Sequence, residues 1–513
     1  MRLYILFLFT LLSTLTIAQE INPKVAAEHF NDGNFSEALV DYMDLLQAEP
    51  NNERYNYRVG VCYLNTNIDK AKAVDYLEKV IQSEEPDPNT YYLLGRAYHF
   101  AYRFQEAIEM YRKFKSLNKG SEENLLDVNK QIEYCYNAIE LMKFPLDVTF
   151  ENLGANINSK HKDYYPFVPK NESFIIFNSK RDDGSEKMMN GTYHSEIYYA
   201  QVKNGAFAKA RKLDQNINTL NGSEEIVGMS ADGDYLLLYF ENDEHYGDLF
   251  IAGFENHKLK EIDKLPKVIN SKNHEIAASI TKNGDAIYFA SDRDGGFGGV
   301  DLYVSLKLPN GDWGPAQNLG PTVNTSFDED FPNITADGKT LYFSSKGHTS
   351  MGGYDIFKAT WDQVKRNFSD VKNVGYPLNT PEDNTNYRES ESGRTGYTSA
   401  IREGGSGDFD LYSVTFNEVD PEYTVIKGFV TPEDTTQIIK DVFISVLDLQ
   451  TDELYGTYLT NPITGRYIII LPVGKFNMMV EVPGYGIYTE DVEILGKSSF
   501  RSVIKKDIQL KTE

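Results

Sequence analysis

The sequence is short of positive charge, histidine and cysteine, and each shortage excludes a class of function. Lys and Arg number 51 against 76 Asp and Glu, which gives a formal net charge of −25 over 513 residues. A surface this acidic repels nucleic acid and anionic lipid headgroups, so we expect neither as a direct partner. The eight His residues lie at no metal-ligand spacing, so the sequence predicts no metal site and no cofactor.

Long apolar runs are missing beyond the N-terminus. There, "MRLYILFLFTLLSTLTIAQE" places one Arg before an apolar run and small residues after it. This is typical of a secretory signal peptide over residues 1–18, cut after Ala18. An uncleaved anchor helix is the alternative, which the shortness of the run disfavours. No Cys lies at the cleavage point and no later stretch could span a membrane, so we expect an exported, water-soluble protein.

The two cysteines, Cys62 and Cys135, are too few for a disulfide framework. Export would permit a bridge between them. Both fall at helix-packing positions of a helical segment at residues 20–145, which favours two buried thiols instead.

Signatures of catalysis are also missing. The glycine clusters "GGFGG", "MGG" and "GGSG" are not followed by the Gly-Lys-Ser/Thr of a phosphate loop. The stretch "NHEIAAS" lacks the second His of a zinc-protease helix, and "GSGDFD" is not a nucleophile elbow. We therefore predict no catalytic residues and no enzyme. The acidic run at 328–330 has two interpretations, a calcium site or a solvated loop, of which the solvated loop is favoured.

Residues 20–145 carry a helical repeat with the tetratricopeptide period of 34 to 35 residues. The recurring small residues are Ala38, Ala73 and Ala107. Gly60 and Gly95 fall where the two helices of a unit must approach closely. Such units stack into a solenoid with a concave face formed by the first helices. This face is either a groove for a partner segment or a surface that docks on the neighbouring domain. Its candidate partner-binding residues are Arg54, Tyr57, Asn65, Tyr92, Arg96 and His99.

A second repeat occupies residues 146–416. An acid–aliphatic–aromatic triplet occurs five times, at steps of 52 to 55 residues. Its acidic residues, for which we expect a structural role, are Glu196, Asp248, Asp301, Asp355 and Asp410. A second phrase ending in Asn-Ser or Asn-Thr precedes the copies, as in "VINS" and "TVNT". Hairpin signals such as Asp337-Gly338 lie between them.

Five periods of about four strands predict a five-bladed β-propeller, because each small sheet buries its faces only against neighbours in a closed ring. We expect the triplet's acid at the edge of the third strand, accepting hydrogen bonds from turn amides or from an Arg such as Arg293. The glycine clusters mark tight loops between second and third strands. The last unit has only three strands, so "LDVTFENLG" (146–154) is expected to supply the fourth and close the ring.

Residues 421–513 contain short strands separated by turns and predict a seven-strand, transthyretin-like β-sandwich without a titratable cluster. The fold class is therefore multidomain, α followed by all-β.

Each block resembles a known family. Residues 24–142 look like tetratricopeptide repeats. Residues 146–416 resemble the WD40-type propeller of the TolB and PD40 group through "ITADGKTLYFSSKGHTSMGGYDIF". Residues 424–510 resemble a carboxypeptidase regulatory-like domain through "GRYIIILPVGKF" and "PGYG".

The order of the blocks resembles the PorE-type periplasmic proteins of Bacteroidota, which are associated with type IX secretion. The resemblance implies a periplasmic protein near the outer membrane, with protein partners there. Those proteins usually continue into an OmpA-like peptidoglycan-binding domain. This sequence stops at "DIQLKTE", so peptidoglycan anchoring is not carried over.

We therefore expect a non-enzymatic periplasmic scaffold or adaptor of an outer-membrane complex. One alternative is a glycan- or peptidoglycan-binding envelope module that uses propeller aromatics. The other is a propeller-type hydrolase, which is disfavoured because no Ser/His/Asp, paired-carboxylate or metal constellation is recognisable.

Overall fold

The structure, a computed structural model, describes residues 22–182, 184–213, 217–218, 222–241, 246–390, 394–417, 423–434, 439, 442–472, 474–494 and 503–512. The expected signal peptide at residues 1–18 lies outside these residues. The chain divides into two compact units, Met1–Phe416 and Asn417–Glu513.

Helices open the first unit, and most of them begin at a side-chain cap. Asn22, Asn34, Asn52, Asp87 and Ser121 each accept a hydrogen bond from a backbone amide in the first turn that follows. Such a cap satisfies one amide that the helix itself leaves unpaired. The helices are α1 (Pro23–Asn31), α2 (Phe35–Ala48), α3 (Glu53–Leu64), α4 (Ala73–Val80), α5 (Pro88–Phe100), α6 (Phe104–Leu117) and α7 (Glu122–Leu141), with a short 3-10 helix at Lys70–Lys72. None of these described helices is long and apolar enough to cross a membrane.

Each helix packs against the next, and small residues allow the close contact. A Cβ atom on Gly60 would lie 2.6 Å from Leu77, and one on Gly95 would lie 2.6 Å from Tyr111. The close approach predicted at both glycines is confirmed, because any side chain there would displace its neighbour. The alanines of the period are fully buried: Ala38, Ala73 and Ala107.

Five sheets follow in the described part of the first unit. Their strands are β1 (Val148–Asn152), β2 (Asp163–Phe167), β3 (Phe174–Ser179), β4 (Glu196–Lys203), β5 (Ala206–Phe207), β6 (Arg211–Lys212), β7 (Ser223–Met229), β8 (Tyr235–Glu241), β9 (Tyr246–Glu255), β10 (Lys258–Lys264), β11 (Glu275–Ile280), β12 (Ala286–Ser291), β13 (Asp301–Leu306), β14 (Gln317–Asn318), β15 (Glu329–Ile334), β16 (Thr340–Ser345), β17 (Asp355–Asp362), β18 (Asn367–Asn373), β19 (Thr385–Glu389), β20 (Thr395–Ala400) and β21 (Asp410–Phe416). The sheet orders are β2-β3-β4-β5 with β6 also on β4, β10-β9-β8-β7, β11-β12-β13-β14, β15-β16-β17-β18 and β1-β21-β20-β19.

The sheets form a propeller-like ring. The first strands contact one another in the order β2, β7, β11, β15 and β19, and β19 returns to β2. Each junction between neighbouring sheets has its own apolar core, including the junction of the last sheet with the first. At that closing junction Phe177 and Tyr198 pack with Tyr397 and Leu411. Burial on both faces explains why each sheet is stable only within the ring.

The ring is closed by the strand that was predicted from the sequence at residues 146–154. Strand β1 pairs antiparallel with β21, with Phe150 opposite Val414. The chain before the first sheet therefore completes the last one, and the prediction for residues 146–154 is confirmed. The pairing covers an edge that would otherwise present free backbone groups.

The repeated triplet lies at the start of the third strand of each sheet. Asp301 accepts hydrogen bonds from the backbone amides of Phe297 and Gly298, at 2.7 and 2.9 Å. Asp355 and Asp410 accept equivalent turn amides. The other two copies form ion pairs, Glu196 with Lys212 and Asp248 with Lys264.

Of the two predicted donors to the triplet's acid, the turn amides are found and Arg293 is not. The Arg293 guanidinium pairs with Glu275 at 3.0 Å and donates to the carbonyl of Ile269. Glu275 begins the first strand, and Ile269 lies in the linker before it. Arg293 therefore fastens this linker to the strand that follows it.

The asparagine of the second repeated phrase binds the middle residue of the triplet. Its side-chain amide donates to that residue's carbonyl and accepts from its N–H, at 2.8 to 3.0 Å. The pairs are Asn158–Leu411, Asn218–Ile197, Asn270–Leu249, Asn324–Leu302 and Asn379–Ile356. Each asparagine lies in the linker to the next sheet, so it fastens that linker to the third strand. The two phrases recur together because one binds the other.

The glycine clusters lie between second and third strands, as predicted, but the tight-loop explanation is incomplete. A Cβ atom on Gly298 would lie 1.9 Å from the carbonyl oxygen of Phe327, and one on Gly352 would lie 2.4 Å from that of Pro381. Phe327 and Pro381 belong to linkers that lead into the next sheet. Glycine is needed because the backbones of neighbouring sheets meet there.

The second unit is built of two sheets around one apolar core. Its described strands are β22 (Thr424–Pro432), β23 (Phe443–Asp448), β24 (Glu453–Leu459), β25 (Arg466–Leu471), β26 (Gly474–Val480), β27 (Tyr488–Ile494), β28 (Val503–Lys505) and β29 (Ile508–Leu510). The orders are β25-β22-β28, with β29 also on β22, and β24-β23-β26-β27. The described residues of this unit contain eight strands where seven were predicted, and between the last two Asp507 accepts the Phe429 amide at 2.9 Å.

Candidate binding cavity between the helices and the ring of sheets

The structure separates the six residues predicted to form a groove. Three of them reach solvent, namely Arg54, Tyr57 and Asn65, and Asn65 also lines the same recess as Arg96 and His99. Tyr92 and His99 are buried, with 6% and 4% of their surface exposed, and Arg96 is half-buried beside them. Of the two interpretations of this face, an open groove does not describe its part on α5, which is covered from within the chain.

His99 is the centre of this covered part. Its Nε2–H donates to the carbonyl of Met351, 2.8 Å away, in the loop between β16 and β17. Burial lowers the pKa of His99 to about 4, so the ring is neutral at physiological pH. A neutral imidazole ring that donates to a backbone carbonyl is typical of a structural contact, here between helix α5 and the loop.

Helix α7 adds two bonds to the same loop. The Tyr134 hydroxyl donates to the carbonyl of Lys346 at 2.6 Å, and the Asn137 amide donates to that of Ser350 at 2.8 Å. The helices therefore dock on the ring at this loop, which was the second of the two interpretations of their concave face.

A second set of contacts lies at the end of α3 and the short 3-10 helix. Asn67 donates to Asp408 at 2.5 Å, and Lys70 forms an ion pair with Glu382. Glu382 and Asp408 lie in loops that precede the first and third strands of the last sheet. The helices thus touch the ring at two places, with a space between them.

That space is a cavity of about 530 Å³. Its helix side includes Lys70, Arg96, His99 and Phe100. Its ring side includes Lys162, Tyr165, Asp330, Phe331, Glu382 and Asp383. The size is that of a small-ligand or peptide site.

Two cations of the cavity have no direct carboxylate partner among the described residues. The Lys162 ammonium lies 4.8 Å from the ring centroid of Tyr164 and 5.0 Å from that of Phe409. Burial lowers the pKa of Lys162, although the negative charges of Asp408, Glu225 and Asp383 act in the opposite direction. The Arg96 guanidinium lies 5.8 Å from the centroid of Phe100. Cations left unpaired in a recess favour a ligand that brings a carboxylate.

The position of Lys162, four residues after the linker asparagine, varies among the sheets, and it is Gly222 in the second and His274 in the third. The fourth and fifth sheets have Asp328 and Asp383 there, which accept the backbone amides of Val300 and Tyr354 at 3.2 and 2.9 Å. A lysine cannot accept such a bond, so the first sheet exchanges an acceptor for a cation facing the cavity. Sequence reasoning missed Lys162, although alignment of the repeats at their linker asparagine shows a lysine there in the first sheet alone.

The acidic run at 328–330 is not a solvated loop, so that prediction is wrong. Glu329 is fully buried and accepts hydroxyl bonds from Thr325 and Ser345 at 2.7 and 2.6 Å. Asp330 is buried at the cavity and accepts the Phe331 amide at 2.6 Å. Burial raises the pKa of Asp330 to about 7, so it carries a proton for part of the time at neutral pH. No group of three or more potential ligands for a metal occurs among the described residues.

Aromatic side chains project into the cavity from irregular points of the first strands. Tyr165 and Phe331 have φ angles of 54° and 50°, where the pairing of β2 with β3 and of β15 with β16 shifts register. Their ring centroids are 4.5 Å apart, and Tyr354 lies 6.4 Å from Phe331. A bulge re-aims a side chain, and positive φ at an aromatic residue is strained. The first strands of the other three sheets shift register at the matching place, so the bulge belongs to the repeat, and two of its five copies place an aromatic residue at this cavity.

No protein-family model matches the chain. Among solved structures it is similar to TolB from Acinetobacter baumannii, at 15% identity over 58% of this chain and 71% of that one, with a TM-score of 0.34. It is also similar to the RRP9 WD40 repeats, at 11% identity over 52% and 97%, with a TM-score of 0.27. The Bacteroides ovatus xyloglucan GH43B protein matches at 11% identity over 67% and 80%, with a TM-score of 0.27. At these scores the fold description rests on the strand pairing itself.

Proposed function

We propose that the protein is a non-enzymatic periplasmic scaffold that serves an outer-membrane complex. In this proposal the helix pairs are tetratricopeptide repeats, the ring is a five-bladed propeller, and the second unit is a carboxypeptidase regulatory-like sandwich. The resemblance to PorE-type proteins supplies the cellular setting, with the type IX secretion machinery as the candidate complex.

The observation that carries the proposal is the cavity where the helices meet the ring. Arg96 comes from a helix and Lys162 from a linker of the ring, and both line one cavity. Two different elements of the first unit thus contribute unpaired cations to one place. This supports a site for a segment that carries a carboxylate, such as a chain terminus or an acidic turn of a protein partner.

The aromatic rings beside the cations fit the same ligand. Tyr165, Phe331 and Tyr354 offer apolar surface next to the charges. Binding sites that combine a few charged groups with aromatic walls gain orientation from the former and affinity from the latter.

The test is capture of partners from detergent-solubilised cell envelope, identified by mass spectrometry. The full-length chain is compared with the double variant Arg96→Gln and Lys162→Gln, which removes both charges and keeps polar side chains. A matched control removes one Lys and one Arg from exposed turns of the ring, Lys282→Gln with Arg366→Gln.

We expect an outer-membrane or periplasmic partner on the full-length chain and on the control, and loss of at least nine-tenths of it on the cavity variant. Equal recovery on all three proteins would contradict the cavity as the site. A full-length chain that recovers no envelope protein would contradict the scaffold function.

A second candidate function is favoured by the aromatic cluster alone. Aromatic faces stack on sugar rings, and Asp330 and Asp383 offer acceptors beside them, which suits a glycan of the envelope. Co-sedimentation with purified peptidoglycan sacculi tests this. Binding that Tyr354→Ala abolishes and the Arg96→Gln and Lys162→Gln variant retains would favour a glycan over a carboxylate segment.

A further inference from the structure

The second unit exposes apolar side chains on the outer sides of both its sheets. On one sheet Phe429, Ile468, Ile470 and Val503 are 43 to 48% exposed. On the other, Phe443, Leu459 and Met479 are 39 to 61% exposed. Outer positions of a sandwich are normally polar, and clustered apolar exposure marks an interaction surface.

The outer side of β25-β22-β28, here called the basic face, has a continuous apolar row. Val425 is paired with Ile470 on one side and with Val503 on the other. Cross-strand neighbours of this kind have their side chains in contact on one face. The row therefore crosses the whole three-stranded sheet.

Cations flank this row. Lys427 lies between Ile468 and Lys505 in the next row of the register, and Arg466 lies opposite Phe429. The one carboxylate beside them in the described residues is Asp507, and it is turned onto the Phe429 amide. The basic face is a local exception on a chain with a formal net charge of −25.

The outer side of β24-β23-β26-β27, here called the acidic face, combines apolar surface with the opposite charge. Phe443 is paired with Leu459, and Met479 lies in the neighbouring row beside Ser445. Apolar side chains thus occupy one end of this sheet as well.

The carboxylates of the acidic face are on β27 and at the end of β26. Asp491 accepts the Asn477 amide at 2.6 Å, and Glu493 pairs with Lys475 at 3.4 Å. Glu481 is exposed directly after β26. Three carboxylates against one lysine leave this face negative.

We propose that the basic face of one copy of the chain packs on the acidic face of a second copy. Apolar rows then meet, and Lys427, Lys505 and Arg466 face carboxylates. Pairing two basic faces would instead oppose like charges. The two faces lie on opposite sides of the sandwich, so each contact leaves one face of each kind free and association continues head to tail.

The test uses the full-length chain without its first 18 residues, by analytical ultracentrifugation over a concentration series at low and high salt. One variant reverses the basic face, Lys427→Glu with Lys505→Glu. A second reverses the acidic face, Glu481→Lys with Asp491→Lys. All four positions lie on the outer side of a sheet, and circular dichroism checks the fold of each variant.

We expect the unaltered chain to associate with rising concentration, and less so at high salt. Each variant alone is expected to stay monomeric, and an equimolar mixture of the two is expected to associate again, because the reversed faces fit each other. An unaltered chain that is monomeric throughout, or a mixture that stays monomeric, would overturn the proposal. Loss of association in the first variant alone would show pairing of basic faces and overturn it too.

The proposal does not depend on the cavity of the first unit. The Arg96→Gln and Lys162→Gln variant is expected to associate like the unaltered chain, so the two proposals fail separately.

Discussion

The side chain of Asn324 forms two hydrogen bonds with the backbone of Leu302, as the backbone of a neighbouring strand would. The Leu302 amide donates to the Asn324 side-chain oxygen at 2.8 Å, and the Asn324 side-chain nitrogen donates to the Leu302 carbonyl at 3.0 Å. Both residues are buried, so these bonds are shielded from solvent.

Asn324→Ala is expected to destabilise the ring by about 2 kcal/mol, because it leaves a buried amide and a buried carbonyl unpaired. Thermal unfolding measures the effect. Asn310→Ala is the control, since Asn310 is exposed and its side chain bonds only within a turn. Equal melting temperatures for the two variants would contradict the role of the linker asparagine.

The triplet's acid is expected to be structural. Asp301→Ala removes the acceptor of two turn amides and of the Asn318 side chain, which should lower the melting temperature and leave partner capture intact in the protein that folds. Partner capture and melting are measured on the same preparation. Full stability with lost capture would instead assign Asp301 to a binding site.

The closing strand is expected to hold the ring together. Replacing residues 146–154 by a Gly-Ser linker of equal length keeps the chain connected and leaves β21 with an open edge. We expect aggregation, or protease cleavage spread over residues 160–416, in gel filtration and limited proteolysis. A monomeric, protease-resistant product would show that β1 is dispensable.

Asp330 is expected to make stability depend on pH. Burial raises the pKa of Asp330 to about 7, so the folded chain holds a proton there that the unfolded chain releases at lower pH. The stabilisation from this proton is complete below about pH 4, the ordinary pKa range of Asp. It falls by about 1.4 kcal/mol for each pH unit above that and is lost as the pH rises through 7.

Asp330→Asn cannot ionise, so its melting temperature should rise relative to that of the unaltered chain between pH 5.5 and pH 8. Asp294→Asn is the control, because Asp294 is exposed. A difference that stays constant with pH would contradict ionisation of Asp330 in this range.

The two thiols are expected to be inert in the folded protein. Cys62 and Cys135 are free and fully buried, and burial raises the pKa of each to about 12. A chromogenic disulfide reagent should react with no thiol in the native chain and with two after unfolding. Reaction before unfolding, or a missing thiol after it, would contradict this.

Much of the fold follows from periodicity, which one sequence displays. The alanines at Ala38, Ala73 and Ala107 located the helices, and the five triplets located the third strands. The strand at 146–154 followed from counting strands, since a ring with a missing outer strand needs one from elsewhere. Such features repeat along the chain and depend on local contacts.

The sequence was least informative where an element meets one that is distant in the chain. It left open whether the face with His99 is exposed or docked, and His99 is covered by Met351, 252 residues away. It offered turn amides or Arg293 as donors to the triplet's acid, and the arginine binds Glu275 on another strand instead. Side-chain type indicates what a residue can bind. Which partner it contacts depends on which two segments of backbone lie close together in the fold.

By itself, therefore, the sequence determined the succession of a helical segment, a repeated set of small sheets and a final sandwich. It did so because hydrophobic period and turn residues act over a few residues. Only the tertiary structure decided that the helices dock on the ring and that Arg96 and Lys162 share a cavity. Those residues come from elements whose packing is set by apolar surfaces elsewhere, so no spacing along the chain could have brought them together.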